Sequence, residues 1–129
     1  MYGLSPDIDL TFLRGLELMK VCVSPVQVQF HLCQPGTTTS DTGISVEISY
    51  THRHNDEEED EWSPETFMPL SSSCSVMLLI GASIVSVKGD PDGTLEIEFN
   101  NGDSLTFYDE TTMYEAYHIW HGSDPLIVV

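Results

Sequence analysis

Two histidines separated by one residue, His52 and His54, lie close to a run of six acidic residues, with only Asn55 between. Imidazole nitrogens and carboxylate oxygens are common ligands of divalent metals, so this pairing suggests a metal site. On a strand, residues two apart share a face, and both rings would point to the same side. The spacing supplies no second rigid pair beside them, however, and runs of carboxylates usually stay hydrated. We therefore predict no metal site and no cofactor.

Two further pairs of polar residues have spacings that chemistry can use. Glu96 and Glu98 would lie about 7 Å apart on one strand face, a separation used by paired-carboxylate hydrolases. Their alternation with apolar residues also predicts an ordinary solvated face. His118 and His121 flank Trp120, and an edge-strand or turn position explains them more simply than a ligand pair.

Catalytic motifs are absent from the sequence. It contains no nucleophile elbow, phosphate-binding loop, H-E-x-x-H pair or dinucleotide fingerprint. The cysteines, Cys22, Cys33 and Cys74, have no obvious histidine partner and no C-x-x-C spacing. We predict that they are reduced and partly buried, and that the protein is not an enzyme.

The acidic run, together with the tryptophan that follows it, is the best candidate for recognition. Carboxylates accelerate the encounter with a basic surface, and an exposed aromatic side chain can anchor the docked complex. The alternative is a charged, partly disordered linker. The predicted partner-binding residues are Asp56, Glu57, Glu58, Glu59, Asp60, Glu61 and Trp62.

Charge and hydropathy limit the possible partners. Of 129 residues, 21 are Asp or Glu and 4 are Lys or Arg, which gives a formal net charge of −17. Long-range repulsion disfavours nucleic acids and anionic membranes. The longest purely apolar run, 76–80, is too short to cross a bilayer, and residues 1–7 do not resemble a signal peptide. We predict a cytoplasmic protein, monomer or homodimer, with a protein partner that has a basic surface.

A repeated pattern predicts the elements that would position these residues. Gly15 and Gly81 each follow a leucine-containing stretch and precede apolar residues at the same offsets. Two strands then follow in each half, predicted at 26–30 and 44–50 in the first half and at 95–99 and 104–108 in the second. The chain is therefore interpreted as a duplication of a three-stranded meander.

Hairpin registers test this interpretation, because a wrong loop length sends apolar residues to opposite faces. Three registers keep the apolar faces together, and one of them needs Gly102 in the left-handed conformation of a bulged turn. The predicted loops and pairs are 100–102 with Ile97 opposite Leu105, 89–93 with Val87 opposite Leu95, and 24–25 with Val23 opposite Val26.

Two regions lie outside the repeat. Ser63 and Pro64 can begin a short helix at the junction of the halves. Near the C-terminal end, the spacing over 112–120 permits a helix, but the aromatic residues and the turn at 121–125 favour a closing hairpin. We prefer the hairpin.

These elements predict a mainly β fold, with α+β remaining open. One domain, 1–129, would contain two related antiparallel β-meander halves, 10–50 and 78–120, packed together and joined by an acidic linker, 51–77, with a short helix at the junction.

The second half contains motifs in a recognisable order. A glycine-aspartate hairpin spans 92–102 and is followed by Tyr114-Glu115-Ala116-Tyr117. This order resembles a bacterial family of unknown function, whose hallmark is such a hairpin followed by Tyr-Glu-Ser/Ala-Trp/Tyr. The similarity is clearest over 78–129 and traceable over 10–50. Members resemble small acidic immunity proteins encoded beside secreted bacterial toxins, so the resemblance implies a toxin-neutralising function.

Charge, small size, the absence of catalytic motifs and this resemblance predict a non-enzymatic binding protein, an immunity protein that occludes a basic toxin domain. One alternative is a structural or assembly module that acts through a sheet edge or a homodimer interface. A second alternative is a small hydrolase or metal-binding protein that uses His52, His54 or Glu96.

Overall fold

The computed structural model describes residues 3–54, 58–64, 75–109 and 115–129, and most of its regular structure is β. Each half begins with a short 3₁₀ helix, at Thr11–Leu13 and at Ser75–Leu79. The ten strands of the described residues are β1 (Glu17–Val23), β2 (Val28–Cys33), β3 (Thr42–Val46), β4 (Tyr50–His54), β5 (Glu58–Trp62), β6 (Ile84–Gly89), β7 (Leu95–Phe99), β8 (Ser104–Phe107), β9 (Tyr117–His121) and β10 (Ile127–Val128).

The strands form two antiparallel sheets that pack against each other. Sheet 1 has the order β1-β2-β3-β9-β10, and sheet 2 has the order β5-β4-β8-β7-β6. The first three strands of each half therefore form a meander in one sheet. The last two strands of that half form a hairpin that belongs to the other sheet. The β4–β5 hairpin pairs with β8, and the β9–β10 hairpin pairs with β3. The predicted fold class, two related meanders packed in a mainly β domain, is confirmed.

The halves meet symmetrically at the two repeated glycines. The Gly15 amide donates to the Ile84 carbonyl at 2.8 Å, and the Gly81 amide donates to the Leu18 carbonyl at 2.8 Å. Both glycines have positive φ, 85° and 94°, a conformation that suits glycine because it has no Cβ. The repeated pattern thus builds the joint between the halves, and the fold has an approximate twofold axis there.

The core fills the space between the sheets with inward-facing residues of both. Phe30 of sheet 1 makes edge contacts with Tyr50 and Phe107 of sheet 2, at ring-centroid distances of 5.2 and 5.6 Å. Strand β7 shows the alternation that its sequence predicts, with its apolar residues buried and with Glu96 and Glu98 exposed. Side-chain alternation therefore decides which polar groups face outward.

The predicted register of the β7–β8 hairpin is confirmed. Ile97 lies opposite Leu105, and Gly102 has a φ of 91°. The Gly102 amide donates to the Phe99 carbonyl at 3.1 Å, which closes the tight loop. Asp103 follows this loop directly and precedes β8.

The other two predicted registers are wrong by two residues. The observed pairs are Val87 opposite Ile97 in the β6–β7 hairpin and Val23 opposite Val28 in the β1–β2 hairpin. A shift of two leaves every side chain on its original face, so apolar alternation cannot detect it. In the β1–β2 loop, the Ser24 hydroxyl accepts from the Gln27 amide at 3.0 Å, which stabilises a longer turn and leaves Val26 exposed.

The predicted strand 44–50 is divided between the sheets. Strand β3 ends at Val46, β4 begins at Tyr50, and the residues between them carry the chain from sheet 1 to sheet 2. The range 51–77, expected as an acidic linker, therefore includes most of β4 and all of β5. The short helix predicted to begin at Ser63 and Pro64 and to end before Pro69 would fall mainly on 65–68, which lie outside the described residues.

The C-terminal hairpin is present as predicted. Strands β9 and β10 pair with Ile127 opposite Ile119, and this pairing favours strand over helix for 117–121. Residues 110–114 lie outside the described part of the chain. Within the described ranges, no helix has the length and apolar character needed to cross a membrane.

Candidate functional site

Three residues that can bind a metal meet at one end of sheet 2. His52 and His54 share the inner face of β4, as their spacing predicts. Asp103 comes from the other half of the chain, immediately before β8, and β4 pairs with β8 so that His52 lies opposite Leu105. The side-chain amide oxygen of Asn101 accepts from the Asp103 backbone amide at 3.0 Å and fixes its position. The pairing of β4 with β8 thus brings together residues that are far apart in the sequence.

The cluster is compact and mostly buried. His52 Nε2 lies 2.8 Å from Asp103 Oδ2, and His54 Nδ1 lies 3.0 Å from the same carboxylate. His52 and Asp103 are each 1% exposed, whereas the His54 side chain is 44% exposed. One ligand atom from each residue lies within 4.8 Å of the others. The cluster therefore has a rigid inner part and one side that reaches solvent.

Ser75, at the start of the second 3₁₀ helix, extends the cluster on its inner side. Its Oγ lies 2.9 Å from His52 Nδ1, so that Ser75, His52 and Asp103 form a continuous hydrogen-bonded chain. When Nε2–H donates to Asp103, Nδ1 accepts from the Ser75 hydroxyl; in the other tautomer Nδ1–H donates to Oγ, and the Nε2 lone pair would be available to a metal ion, which is how a neighbouring group orients a metal-binding imidazole. The same order of groups, hydroxyl, imidazole and carboxylate, can also activate a serine nucleophile.

The electrostatics of the cluster favour an ionised carboxylate. Burial opposes the charged form of Asp103, but the hydrogen bonds from His54 and His52 and their positive charge outweigh burial and lower its pKa. A carboxylate that is buried and charged requires a compensating cation or strong hydrogen bonds. The two imidazoles meet that requirement here, and a metal ion would meet it too.

The internal symmetry shows that the same backbone is built in sheet 1 with other residues at the equivalent positions. In sheet 1, β3 pairs with β9 so that Ile44 lies opposite Ile119, while in sheet 2 Leu105 lies opposite His52. His52 thus occupies the position of a buried isoleucine. By the same correspondence, Asp103 takes the place of Thr42, and His54 that of His121, whose Nδ1 lies 2.8 Å from Thr42 Oγ1.

Residues 58–62 of the predicted partner-binding run form an edge strand, β5. Asp56 and Glu57 lie outside the described residues, and Glu58 begins β5. Glu59 and Glu61 are exposed, and Asp60 is opposite His52 in the β4–β5 register. Charged residues on an edge strand also discourage pairing with another sheet.

The expectation that Trp62 is an exposed anchor is wrong. Its side chain is 0% exposed and stacks on Tyr50, with ring centroids 5.9 Å apart and planes 14° from parallel. The register of β4 with β5 explains this burial, because Tyr50 lies opposite Trp62 and both side chains point into the core. The indole is therefore a core residue.

Two rows of outward-facing side chains cross sheet 2. The β-sheet registers place Glu61, Thr51, Thr106, Glu96 and Lys88 in one row, and Glu59, Arg53, Ser104, Glu98 and Ser86 in the other. The four glutamates are exposed, as predicted for Glu96 and Glu98. Arg53 pairs with Glu59 at 3.2 Å. We name this surface the acidic face.

His118 and His121 remain apart from the cluster. His121 stacks on Phe12 with ring centroids 4.4 Å apart and contacts Thr42, as described above. His118 lies opposite Ser45 on the other face of sheet 1. Sequence reasoning found His52 and His54 but missed Asp103, which the pairing of β4 with β8 brings beside them, and Ser75, which the second 3₁₀ helix places against His52.

The motifs that carry the family resemblance have structural roles. Ala116 and Tyr117 are buried, and the Tyr117 hydroxyl donates to the Gly93 carbonyl at 2.6 Å, which ties the C-terminal hairpin to the glycine-aspartate loop. Burial is also the main cause that raises the Tyr117 pKa. Comparison of the chain with protein-family models, curated proteins and solved structures gives no significant match. The resemblance stays a prediction.

Proposed function

We propose that the protein is a non-enzymatic binding protein that docks its acidic face onto a basic surface of a protein partner. The observation that carries the proposal is the pair of rows across sheet 2, in which four exposed glutamates outnumber Arg53 and Lys88. The sheet holds the backbone of these glutamates in fixed positions, so little backbone conformational entropy is lost on binding.

A recess at the edge of this face suits a basic side chain. It has a volume of about 280 Å³ and is lined by Ser49, Thr51, Glu59, Glu61 and Tyr108. The hydroxyls of Thr51 and Tyr108 lie 3.0 Å apart. A lysine or arginine of the partner would find two carboxylates at the rim and hydroxyl acceptors beside them.

The partner class follows from charge and from the resemblance described above. An immunity protein that covers a cationic toxin domain, such as a nuclease, would place carboxylates where substrate phosphates otherwise bind. The net charge of −17 steers the association of oppositely charged proteins and is screened by salt. The proposal therefore predicts fast association that weakens as ionic strength rises.

The test is binding to the product of a neighbouring toxin-type gene, measured by surface plasmon resonance at several salt concentrations. The double variant Glu59→Gln/Glu61→Gln should reduce the association rate at low salt by roughly tenfold, and the difference should shrink at high salt. The matched control Asp7→Asn/Asp124→Asn removes the same charge from exposed positions off this face and should have a smaller effect.

Two results would contradict the proposal. One is the absence of both a complex and protection from the toxin. The other is equal loss of rate in the two double variants, which would mean that net charge acts without a defined face. A salt-insensitive homodimer seen by light scattering would instead support the assembly module that uses a sheet edge.

A further inference from the structure

The geometry points to a metal site: we propose that His52, His54 and Asp103 bind one first-row divalent transition-metal ion of the Zn²⁺ class. Two imidazole nitrogens and one carboxylate oxygen are a donor set for such ions, whereas Mg²⁺ and Ca²⁺ prefer oxygen ligands alone. This inference is independent of the acidic face, because the cluster lies on the inner face of β4 and the glutamates lie on the outer face.

The distances within the cluster are close to those of a loaded site. Zn–N and Zn–O bonds of about 2.0–2.1 Å in a tetrahedron put ligand atoms roughly 3.3 Å apart. The two distances to the Asp103 carboxylate, 2.8 and 3.0 Å, need only a small expansion. The two histidine nitrogens lie no more than 4.8 Å apart, so binding one ion would bring them closer by at most about 1.5 Å.

The groups around the ligands match what metal sites require. Ser75 Oγ can accept from His52 Nδ1 and hold Nε2 as the ligand atom, and Asn101 fixes the backbone of Asp103. The His54 side chain is 44% exposed, so the cluster is open to solvent on that side. Asp60 is opposite His52 in the strand register but is not among the ligand atoms that lie within 4.8 Å of one another, so the proposed ligand set has three protein residues and leaves a position for water.

The internal symmetry provides the second, independent argument. An isoleucine fills the position equivalent to His52, and a threonine fills the position equivalent to Asp103. A buried imidazole and carboxylate seldom improve stability over apolar residues of similar volume. The same backbone is built with apolar and neutral residues in sheet 1, so the cluster in sheet 2 is explained better by a ligand than by folding.

The experiment is titration of the full-length, EDTA-treated protein with Zn²⁺ by calorimetry, and with Co²⁺ by absorption spectroscopy. We expect one ion per chain and a Co²⁺ spectrum without thiolate charge-transfer bands, since no cysteine is among the ligands. His54→Gln and Asp103→Asn should each weaken Zn²⁺ binding roughly 100-fold or more. Ser75→Ala should weaken it by about 10- to 100-fold, the usual effect of losing a group that orients a ligand.

The matched control is His121→Gln, which changes the equivalent histidine in the other sheet and should leave Zn²⁺ binding unchanged. Circular dichroism in EDTA shows whether each variant is folded; if Asp103→Asn is not, the half-exposed His54→Gln decides the question. The proposal is overturned if the wild-type chain takes up neither ion, or if folded His54→Gln binds Zn²⁺ as tightly as wild type. The second result would assign the ion to the acidic run.

Discussion

The two sheets share one architecture but differ in what they place at equivalent positions. At the end of sheet 1, Ile119 is buried and Thr42 contacts His121, whereas at the end of sheet 2 the equivalent positions hold His52, Asp103 and His54. The backbone registers are the same. The difference shows that a duplicated fold can keep one copy as a stable frame while the other acquires polar chemistry.

The outer faces of the two sheets differ in the same way. Sheet 2 presents exposed glutamates, while sheet 1 presents Trp120, which lies over Gly43 and makes an edge contact with His31 at 5.4 Å. Arg53 of sheet 2 occupies the position of Trp120, and Ser104 that of Gly43. One face is suited to charged contacts, and the other is partly covered by its own aromatic residue.

The largest expected effect comes from the final hairpin of each half. Trp62 and Val129 lie beside the equivalent residues Tyr50 and Tyr117, and both are fully buried. Trp62→Ala should lower the free energy of unfolding by about 3–5 kcal/mol. Val129→Ala should lower it by about 2 kcal/mol, because fewer buried atoms are lost. Urea denaturation followed by circular dichroism measures both. Equal costs would contradict the burial of Trp62 described here.

The second effect concerns the polar cluster of His52, His54 and Asp103. It tests whether these residues are needed for the stability of the fold or only for binding a ligand. His52→Ile leaves Asp103 buried with one fewer partner and should cost about 3 kcal/mol in EDTA. Adding Asp103→Thr reproduces the sheet 1 arrangement and should recover most of that loss, because the buried charge is removed as well. Urea denaturation of the single and double variants tests this. A double variant less stable than the single one would mean that the fold needs the cluster.

The third effect tests the close contact on sheet 1. A Cβ on Gly43 would overlap the Trp120 ring and approach the Phe30 carbonyl to 2.6 Å. Gly43→Ala should therefore cost about 1–3 kcal/mol and change the Trp120 fluorescence. The equivalent change in sheet 2, Ser104→Ala, should cost less than about 0.5 kcal/mol. Thermal unfolding of the two variants gives the comparison, and similar melting temperatures would refute it.

The smallest effect concerns the ion pair on the acidic face. Arg53 and Glu59 are both about half exposed and lie 3.2 Å apart. A double-mutant cycle with Arg53→Met and Glu59→Gln should give a coupling of less than about 1 kcal/mol that decreases with added salt. A larger, salt-independent coupling would show that the pair is structural, and Glu59→Gln would then be unsuitable for the binding test.

Most of the fold could be predicted from local patterns, and the remaining errors have physical causes. Alternation located β7 and β8, and Gly102 fixed their loop. The same alternation could not resolve a shift of two residues, because such a shift leaves Val87 and Val23 on their original faces. The alternation also could not show that 44–50 contains the end of one strand and the start of another. Apolar residues alternate in the same way before and after the point where the chain passes from one sheet to the other.

Only part of the candidate site could be predicted from the sequence. His52 and His54 lie two residues apart, so their shared face follows from strand geometry alone. Asp103 becomes their neighbour only because β4 leaves its own half and pairs with β8, which no local pattern encodes. Trp62 was misplaced for the same reason: its acidic neighbours suggested solvent, whereas its register with Tyr50 directs it into the core.

The exchange of hairpins between the sheets also determines the order in which the chain can fold. The two meanders have mainly local contacts and can form early, but β3 must wait for β9, and β4 must wait for β8. Closing such long loops is entropically costly and slows folding. During synthesis, β3 lacks its second neighbour until residues 117–121 have been made, and an open strand edge of this kind is where aggregation can compete with folding.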